Sequence, residues 1–251
     1  IRGIALGLAL VAAVLGILLF KATLRAREQA ETVTRAQLLP PKGELLSVNQ
    51  LRAFAISPDG RRLVYSVQKG VTSELRMRSL DSDESTAIPG SEGGTHPFFS
   101  PDGKWIAFVG GSKLKKVALA GGTPLTLCDA PWFRGGFWGN DGSIYFVPNV
   151  YVPIVRISAD GGPIQPVTKI RTQEGEQQHR WPDVLPDGKV IVIGNHANGK
   201  STSMFVARYN PDGTLDQGFG TPSDGAPKGI VTIAQGDTGD FATSVALQKD
   251  G

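Results

Sequence analysis

Four segments of this chain repeat one short plan. AISPDGRRLVYSV occupies 55–67, FFSPDGKWIAFVG 98–110, FWGNDGSIYFVPN 137–149 and DVLPDGKVIVIGN 183–195. Each sets an apolar pair, a turn ending in Asp-Gly, and an apolar strand. The turn aspartates are Asp59, Asp102, Asp141 and Asp187, spaced 43, 39 and 46 residues apart. A second element follows each of the first three turns: LRMRSLDSDESTAIPG, LKKVALAGGTPLTLCDA and IVRISADGGPIQPVTKI. It alternates apolar and polar residues, crosses a Gly-rich or Asp-rich turn and resumes as a strand. One unit is therefore four short strands in about 40 residues, the period of a β-propeller blade. A blade cannot bury both faces alone, so its neighbours must supply the core. The expected fold is all-β, an incomplete propeller of four blades and the start of another, with more blades expected beyond Gly251. The 32 glycines and 17 prolines fit many short strands and turns better than long helices.

The repeated Asp-Gly invites a chemical reading and a structural one. Pro58 and Pro101 preset the φ wanted at the second turn position. Gly60, Gly103, Gly142 and Gly188 suit the last position, and the aspartate can bond nearby backbone N–H groups. A role repeated four times is a turn role, so Asp59, Asp102, Asp141 and Asp187 are read as structural.

Gly3 to Phe20 reads GIALGLALVAAVLGILLF, eighteen residues without a charge. As a helix it spans about 27 Å, close to a bilayer core of about 30 Å. Residues 1–20 are expected to be a transmembrane α-helix ahead of the propeller. A cleaved signal peptide would want a small-x-small site after the apolar run, and the run is followed instead by Lys21, Arg25 and Arg27. The positive-inside rule sets those three in the cytoplasm, and only Arg2 stands on the other side, so charge leaves the orientation open. Residues 21–43 read as a juxtamembrane linker, closed by Pro40-Pro41. The first residue is not methionine and the last falls inside a repeat, which predicts a piece of a longer protein.

Charge follows this division. Residues 1–43 hold six Lys/Arg against two Asp/Glu, a net +4, while the rest holds twenty against twenty-one, a net −1. The basic balance belongs to the membrane end, and no nucleic-acid partner is expected. The single cysteine, Cys128, excludes an intrachain disulfide and reads as a small buried apolar residue.

Residues 44–190 resemble the TolB-like (WD-repeat-like) propeller of bacterial membrane proteins. In particular they resemble the extracytoplasmic propeller that follows the membrane helix in receptor-type bacterial serine/threonine protein kinases. The residues that carry this are ISPDGRRLVYS, HPFFSPDGKWIAFVGGSKLKKVALAGGTPLTLCDAP, RGGFWGNDGSIYFVP and HRWPDVLPDGK. The resemblance implies a single-pass protein of the bacterial cell membrane, with a kinase domain before Ile1 and the propeller across the membrane. The chain itself has no kinase Gly-rich loop with its strand lysine, no HRD and no DFG. Residues 191–251 read differently. FVARYNPDGTLDQGFG (205–220) looks like the delta-sixty repeat of bacterial surface proteins, and Asp187 to Asp250 is 63 residues. The two resemblances meet inside LPDGKV. Either a natural blend of two propeller-type repeats or a join between two reading frames accounts for this.

Candidate chemistry is sparse. His96, His179 and His196 are scattered, with no HxH or HExxH spacing, so no metal is expected. His179-Arg180-Trp181 is the most site-like cluster, able to anchor a ligand on a propeller loop. Its structural alternative is a blade-entry strand with His capping and Trp packing between blades, and His96-Pro97 occupies the corresponding place in its own blade. GNHANGKST (194–202) fits the GxxxxGK[ST] pattern after a strand, but TSMFVARY reads as a strand where a phosphate loop must open a helix. DGTLD and DTGD do not match a calcium loop. No GxSxG nucleophile turn is present. No catalytic residue and no cofactor is expected.

The function these features point to is a non-enzymatic sensor or protein-interaction propeller of a single-pass signalling protein, serving a serine/threonine kinase. It would take a protein or small-molecule ligand on the loops at one end. The alternatives are a periplasmic TolB-like subunit of a transport or envelope assembly, a propeller accessory to a peptidase, and a surface-adhesion protein.

Overall fold

A computed structural model describes residues 16, 45–47, 53–198, 201–220 and 228–233. The expected membrane helix (1–20), apart from Gly16, which is helical, and the expected linker (21–43) lie outside the described residues, as does 234–251. Among the described residues no helix is long and apolar enough to cross a membrane.

The described chain folds into four antiparallel sheets in sequence order. Blade 1 holds β1 (Leu45–Leu46), β2 (Phe54–Ile56), β3 (Arg62–Lys69), β4 (Thr72–Ser79) and β5 (Ser85–Ala87). Blade 2 holds β6 (Thr95–Phe99), β7 (Trp105–Gly110), β8 (Lys113–Ala118) and β9 (Leu125–Asp129). Blade 3 holds β10 (Gly136–Trp138), β11 (Ser143–Phe146), β12 (Val155–Ser158) and β13 (Gln165–Pro166). Blade 4 holds β14 (Glu176–Val184), β15 (Val190–Asn198), β16 (Ser201–Tyr209) and β17 (Ile230–Ile233). The first strands β2, β6, β10 and β14 pack on one another in turn.

Two details depart from the repeat. Blade 1 has a fifth strand, since β1 pairs with Gln68 and Val67 on the edge of β3 that β2 occupies further along. Its two residues are too short to show an alternation in sequence. The boundary expected at 190/191 also falls inside blade 4, between the first two residues of β15. LPDGKV supplies the turn from β14 to β15, so any two repeats meeting there share one sheet.

The core lies between blades rather than within them. Along β7, Ile106 and Phe108 pack towards blade 1 with Val64 and Leu75, while Ala107 and Val109 pack towards blade 3 with Ile144 and Phe146. Along β11 and just past it, Tyr145 and Val147 turn the other way, onto Val190, Val192 and Phe205 of blade 4. Period-two alternation with both faces buried is what stacked sheets require. The antiparallel meander sorts the loops. The Asp-Gly turns sit at one end of the blades. The hairpins between second and third strands, and the crossovers to the next blade, sit at the other.

Candidate functional site

The Asp-Gly turns are closed by their own chemistry. Gly60 N–H donates to Ser57 O at 2.8 Å and Gly103 N–H to Ser100 O at 2.9 Å. Gly60, Gly103, Gly142 and Gly188 all have φ between +66° and +81°, where a side chain is strained. Asp102 Oδ1 accepts from Lys104 N–H at 3.0 Å and from Ser100 Oγ at 2.6 Å, and Asp59 has the same pair of partners in Arg61 and Ser57. These bonds, the serine's first, lower both carboxyl pKa values. Burial works to raise Asp141, but the Ser143 N–H and the Tyr145 hydroxyl outweigh it and its pKa falls. Asp187 Oδ1 accepts from Lys189 N–H at 3.1 Å. A fifth turn, at Asp212-Gly213, lies between β16 and β17 and is built alike. Each aspartate is an acceptor already in use by its own turn, a poor proton shuttle.

The cluster His179-Arg180-Trp181 lies on β14, at the loop end. The Trp181 side chain has no solvent exposure, so it is no docking surface. It sits at φ +49°, in a bulge between Arg180 and Asp183. His96 sits at φ +54° in a bulge between Thr95 and Phe98, and Gly135 at φ +104°. All three stand six residues before their turn aspartate. His96 therefore corresponds to Trp181, not to His179, and each is followed by a proline, Pro97 or Pro182. The Trp181 N–H donates to Arg134 O at 3.0 Å, across to blade 3. Its ring stacks on His96 with centroids 6.4 Å apart and covers Gly135, where a Cβ would overlap it. The indole fills the space that glycine leaves before blade 3.

His179 is equally hidden, within a network its sequence gave no sign of. The Glu176 carboxylate accepts from Arg171 N–H at 2.8 Å and Arg171 Nε at 3.0 Å, and it pairs with Arg171 Nη2. His179 Nε2 lies 3.4 Å from Glu176 Oε2 and 3.5 Å from the Tyr209 hydroxyl. Thr168 Oγ1 accepts the Ile154 N–H at 3.0 Å, which directs its own proton to His179 Nδ1 at 2.8 Å. The imidazole proton then belongs on Nε2, facing Glu176. Burial works to raise Glu176, but the bonds from His179 and then Arg171 outweigh it and hold the carboxyl at about 2. Burial, then the charge of Glu176, pushes the Tyr209 phenol up. An acid so fully satisfied fixes the crossover between blades 3 and 4 and is a weak base.

Beside this network a cavity of about 510 Å3 opens at the loop end. Val150, Tyr151, Ile170, Thr172, Gln178 and Arg180 line it, with Glu176 at its wall. Tyr151 is 74% exposed and held at φ +61°, an uncommon place for a bulky side chain. Arg180 Nη2 donates to Gln178 Oε1 at 2.6 Å. Burial, and after it the positive charge of Arg134, lowers the Arg180 pKa. Arg134 and Arg180 are each seven residues before a turn aspartate, the same position in adjacent blades. That count would have found the pair. Nothing local in the sequence signals Arg171, Glu176 or Tyr151.

Other sequence candidates fall elsewhere. Val190–Asn198 and Ser201–Tyr209 form an antiparallel hairpin, so GNHANGKST does not open a helix as a phosphate loop must, and Gly199 and Lys200 lie outside the described residues. Asp216 of DGTLD ties Lys189, in the turn before β15, at 3.0 Å to Arg208 of β16 at 2.7 Å. Cys128 is half-buried, with its thiol pushed up to about 11 by burial and then by Asp129. Among the described residues no group of His, Cys, Asp and Glu is placed to hold a metal.

The profile of a family described as a domain of unknown function (DUF5122) beta-propeller matches residues 185–219. No curated protein matches the chain. Among solved structures, a TolB protein of Agrobacterium tumefaciens superposes with a TM-score of 0.55 at 18% identity, over 65% of this chain and 63% of that one. TolB of Acinetobacter baumannii gives 0.49 at 18% identity, over 65% and 41%. A puromycin-hydrolyzing peptidase of Mycobacterium tuberculosis gives 0.50 at 14% identity, over 74% and 30%. The chain thus spans less than two thirds of these proteins. At such identities the likeness is one of fold: an all-β propeller of four-stranded antiparallel sheets.

Proposed function

We propose that this chain is a recognition propeller without chemistry of its own, which binds a protein or small-molecule ligand at the loop end of blades 3 and 4. The observation that carries this reading is the cavity beside Arg180. It is open and mostly apolar, with hydrogen-bonding groups at Thr172, Gln178 and Arg180 and an exposed aromatic at its rim, and its one carboxylate is saturated by Arg171 and His179. Such a pocket is built to hold a ligand in place rather than to move a proton. The wider setting we propose is the extracytoplasmic part of a single-pass bacterial membrane protein whose upstream kinase domain reads the propeller's state. It is supported by the apolar run from Gly3 to Phe20 and by the kinase-type pattern of the first three repeats.

Alkaline phosphatase and green fluorescent protein, each fused after Gly251, test the topology. Active phosphatase and a dark fluorophore are expected. The reverse pair sets the propeller in the cytoplasm and removes the sensor reading. Sequencing the reading frame upstream of Ile1 tests the kinase. A signal peptide there, with no kinase motifs, would favour the periplasmic TolB-like subunit, and a peptidase domain in the same frame would favour the accessory propeller.

A further inference from the structure

We infer that the loop end of the propeller seats on a lipid bilayer, held by the hydrophobic side chains at its tips. The inference rests on the membrane setting proposed above and adds the surface that meets the lipid. Among the described residues, the four most exposed large hydrophobic side chains are Val71 at 98%, Tyr151 at 74%, Leu45 at 72% and Trp132 at 59%. All four stand at one end of the blades. Val71 tops the hairpin between β3 and β4, and Tyr151 the one between β11 and β12. Trp132 lies on the crossover from blade 2 to blade 3. Its N–H donates to Pro148 O at 3.2 Å, which sets it beside the Tyr151 hairpin. Leu45 opens β1 opposite Gln68, near the Val71 turn. Hydrophobic residues exposed singly are ordinary; a set gathered at one end points to a surface that covers them.

The chemistry of these tips suits a bilayer interface. Trp and Tyr carry amphipathic rings that settle at headgroup level, and Lys reaches the phosphates from the same depth. Lys69, at the end of β3, and Lys169, on the crossover from blade 3 to blade 4, are exposed at this end. The opposite end carries the five turn aspartates, Asp59, Asp102, Asp141, Asp187 and Asp212, which an anionic bilayer repels. The fold does not need bulk at a hairpin tip, since blade 2 makes the equivalent turn with Gly111 and Ser112. Tyr151 keeps φ +61°, where a bulky side chain is strained. Chain length fits as well. Twenty-four residues separate Phe20 from Leu45, and even fully extended they reach only about 80–90 Å. A propeller tied that closely to an apolar run in the membrane meets lipid at high effective concentration, so shallow contacts suffice. The cavity beside Tyr151 opens at the same end, so its ligand would be met at the headgroup layer.

The tryptophans supply the test. Trp105, Trp132, Trp138 and Trp181 all lie in the blades or their crossovers, so none reports on the apolar run, and Trp132 alone among them is exposed. The whole chain is reconstituted into phosphatidylcholine–phosphatidylglycerol vesicles doped with lipid that carries a nitroxide on its headgroup. Flotation and tryptophan emission are read on the same sample. Emission should fall by up to the share of one tryptophan in four, and the loss should vanish in Trp132→Phe. Val71→Ser combined with Tyr151→Ser should cut the loss by roughly half or more. Circular dichroism reports whether each variant is folded. Flotation without quenching overturns the seating and leaves the membrane setting in place. Quenching that survives in Trp132→Phe assigns the contact to another part of the propeller and overturns the loop-end surface. Quenching unchanged by the paired serine substitutions overturns the role of the hairpin tips. No flotation overturns the seating and the membrane setting together.

Discussion

Acid should unlock the crossover between blades 3 and 4, and Glu176 sets how much. Its side chain is 2% exposed and its carboxylate takes bonds from Arg171 and His179. In the fold it titrates at about 2, against an ordinary 4.5. The folded value is the lower one, so the stabilisation is complete above about pH 4.5. It is lost as pH falls towards 2. At roughly 1.4 kcal/mol per tenfold, ionised Glu176 contributes about 3 kcal/mol. That is a large share of a domain's net stability. Asp59, Asp102 and Asp216 are lowered too, so the wild-type curve alone does not isolate Glu176. The comparison with Glu176→Gln does. Urea denaturation at pH 6, 4.5, 3 and 2 should find the variant weaker by about 2–3 kcal/mol at pH 6, since Arg171 then faces an amide in a buried site. The gap should close as pH approaches 2. Parallel curves with a constant gap would refute the linkage. Curves that coincide throughout would show that the Arg171 pairing adds nothing.

Other perturbations test the packing and the cysteine. Gly135→Ala puts a Cβ into the Trp181 ring at φ +104° and should cost more than about 2 kcal/mol, whereas Gly161→Ala, at φ +89° with open space around it, should cost about 1 kcal/mol; equal urea midpoints for the two would remove the packing argument. Lys116 holds Nζ 3.1 Å from the exposed Asp160 and 4.8 Å above the Trp105 ring. Lys116→Met should keep stability within about 1 kcal/mol while Lys116→Ala loses about 2 kcal/mol, because the buried stem outweighs the charge; equal losses in both variants would reverse that ranking. Cys128 should react with iodoacetamide at pH 8 far more slowly in the native protein than in urea, its thiol titrating near 11; native alkylation at the rate of free cysteine would show that the thiol is open to water.

What could be read from the sequence was local or periodic. The Asp102 turn is closed by Ser100, Gly103 and Lys104, all within a few residues, so composition reports it faithfully. The alternation of Ile106 and Phe108 against Ala107 and Val109 encodes two buried faces, and hence stacked blades. The His179 environment was hidden because its partners come from three elements: Thr168 from the crossover, Glu176 from the start of β14 and Tyr209 from the end of β16. No spacing rule joins those three. The match between His96 and Trp181 is legible in the sequence, since each precedes a proline five residues before its turn aspartate, whereas their positive φ in a bulge is not.

The repeat separates what the fold needs from what it merely allows. Every blade needs its Asp-Gly turn, and every blade has one. Six residues earlier the four blades carry Ala53, His96, Gly135 and Trp181, and no common side chain is demanded. Two of these solve one packing problem between them, since Trp181 covers the glycine and stacks on the histidine. One position before, the four blades carry Arg52, Thr95, Arg134 and Arg180. Burial, and after it the charge of Arg134, lowers the Arg180 pKa. At the turn end of blades 1 and 2, Arg62 gives its guanidinium to Gly103 O at 3.0 Å, and between blades 2 and 3 Lys116 meets Asp160. In both, one cation meets one acceptor supplied by the chain itself. At blades 3 and 4, too, the chain supplies acceptors: Arg134 Nη1 donates to Phe133 O at 3.2 Å and Arg180 Nη2 to Gln178 Oε1 at 2.6 Å.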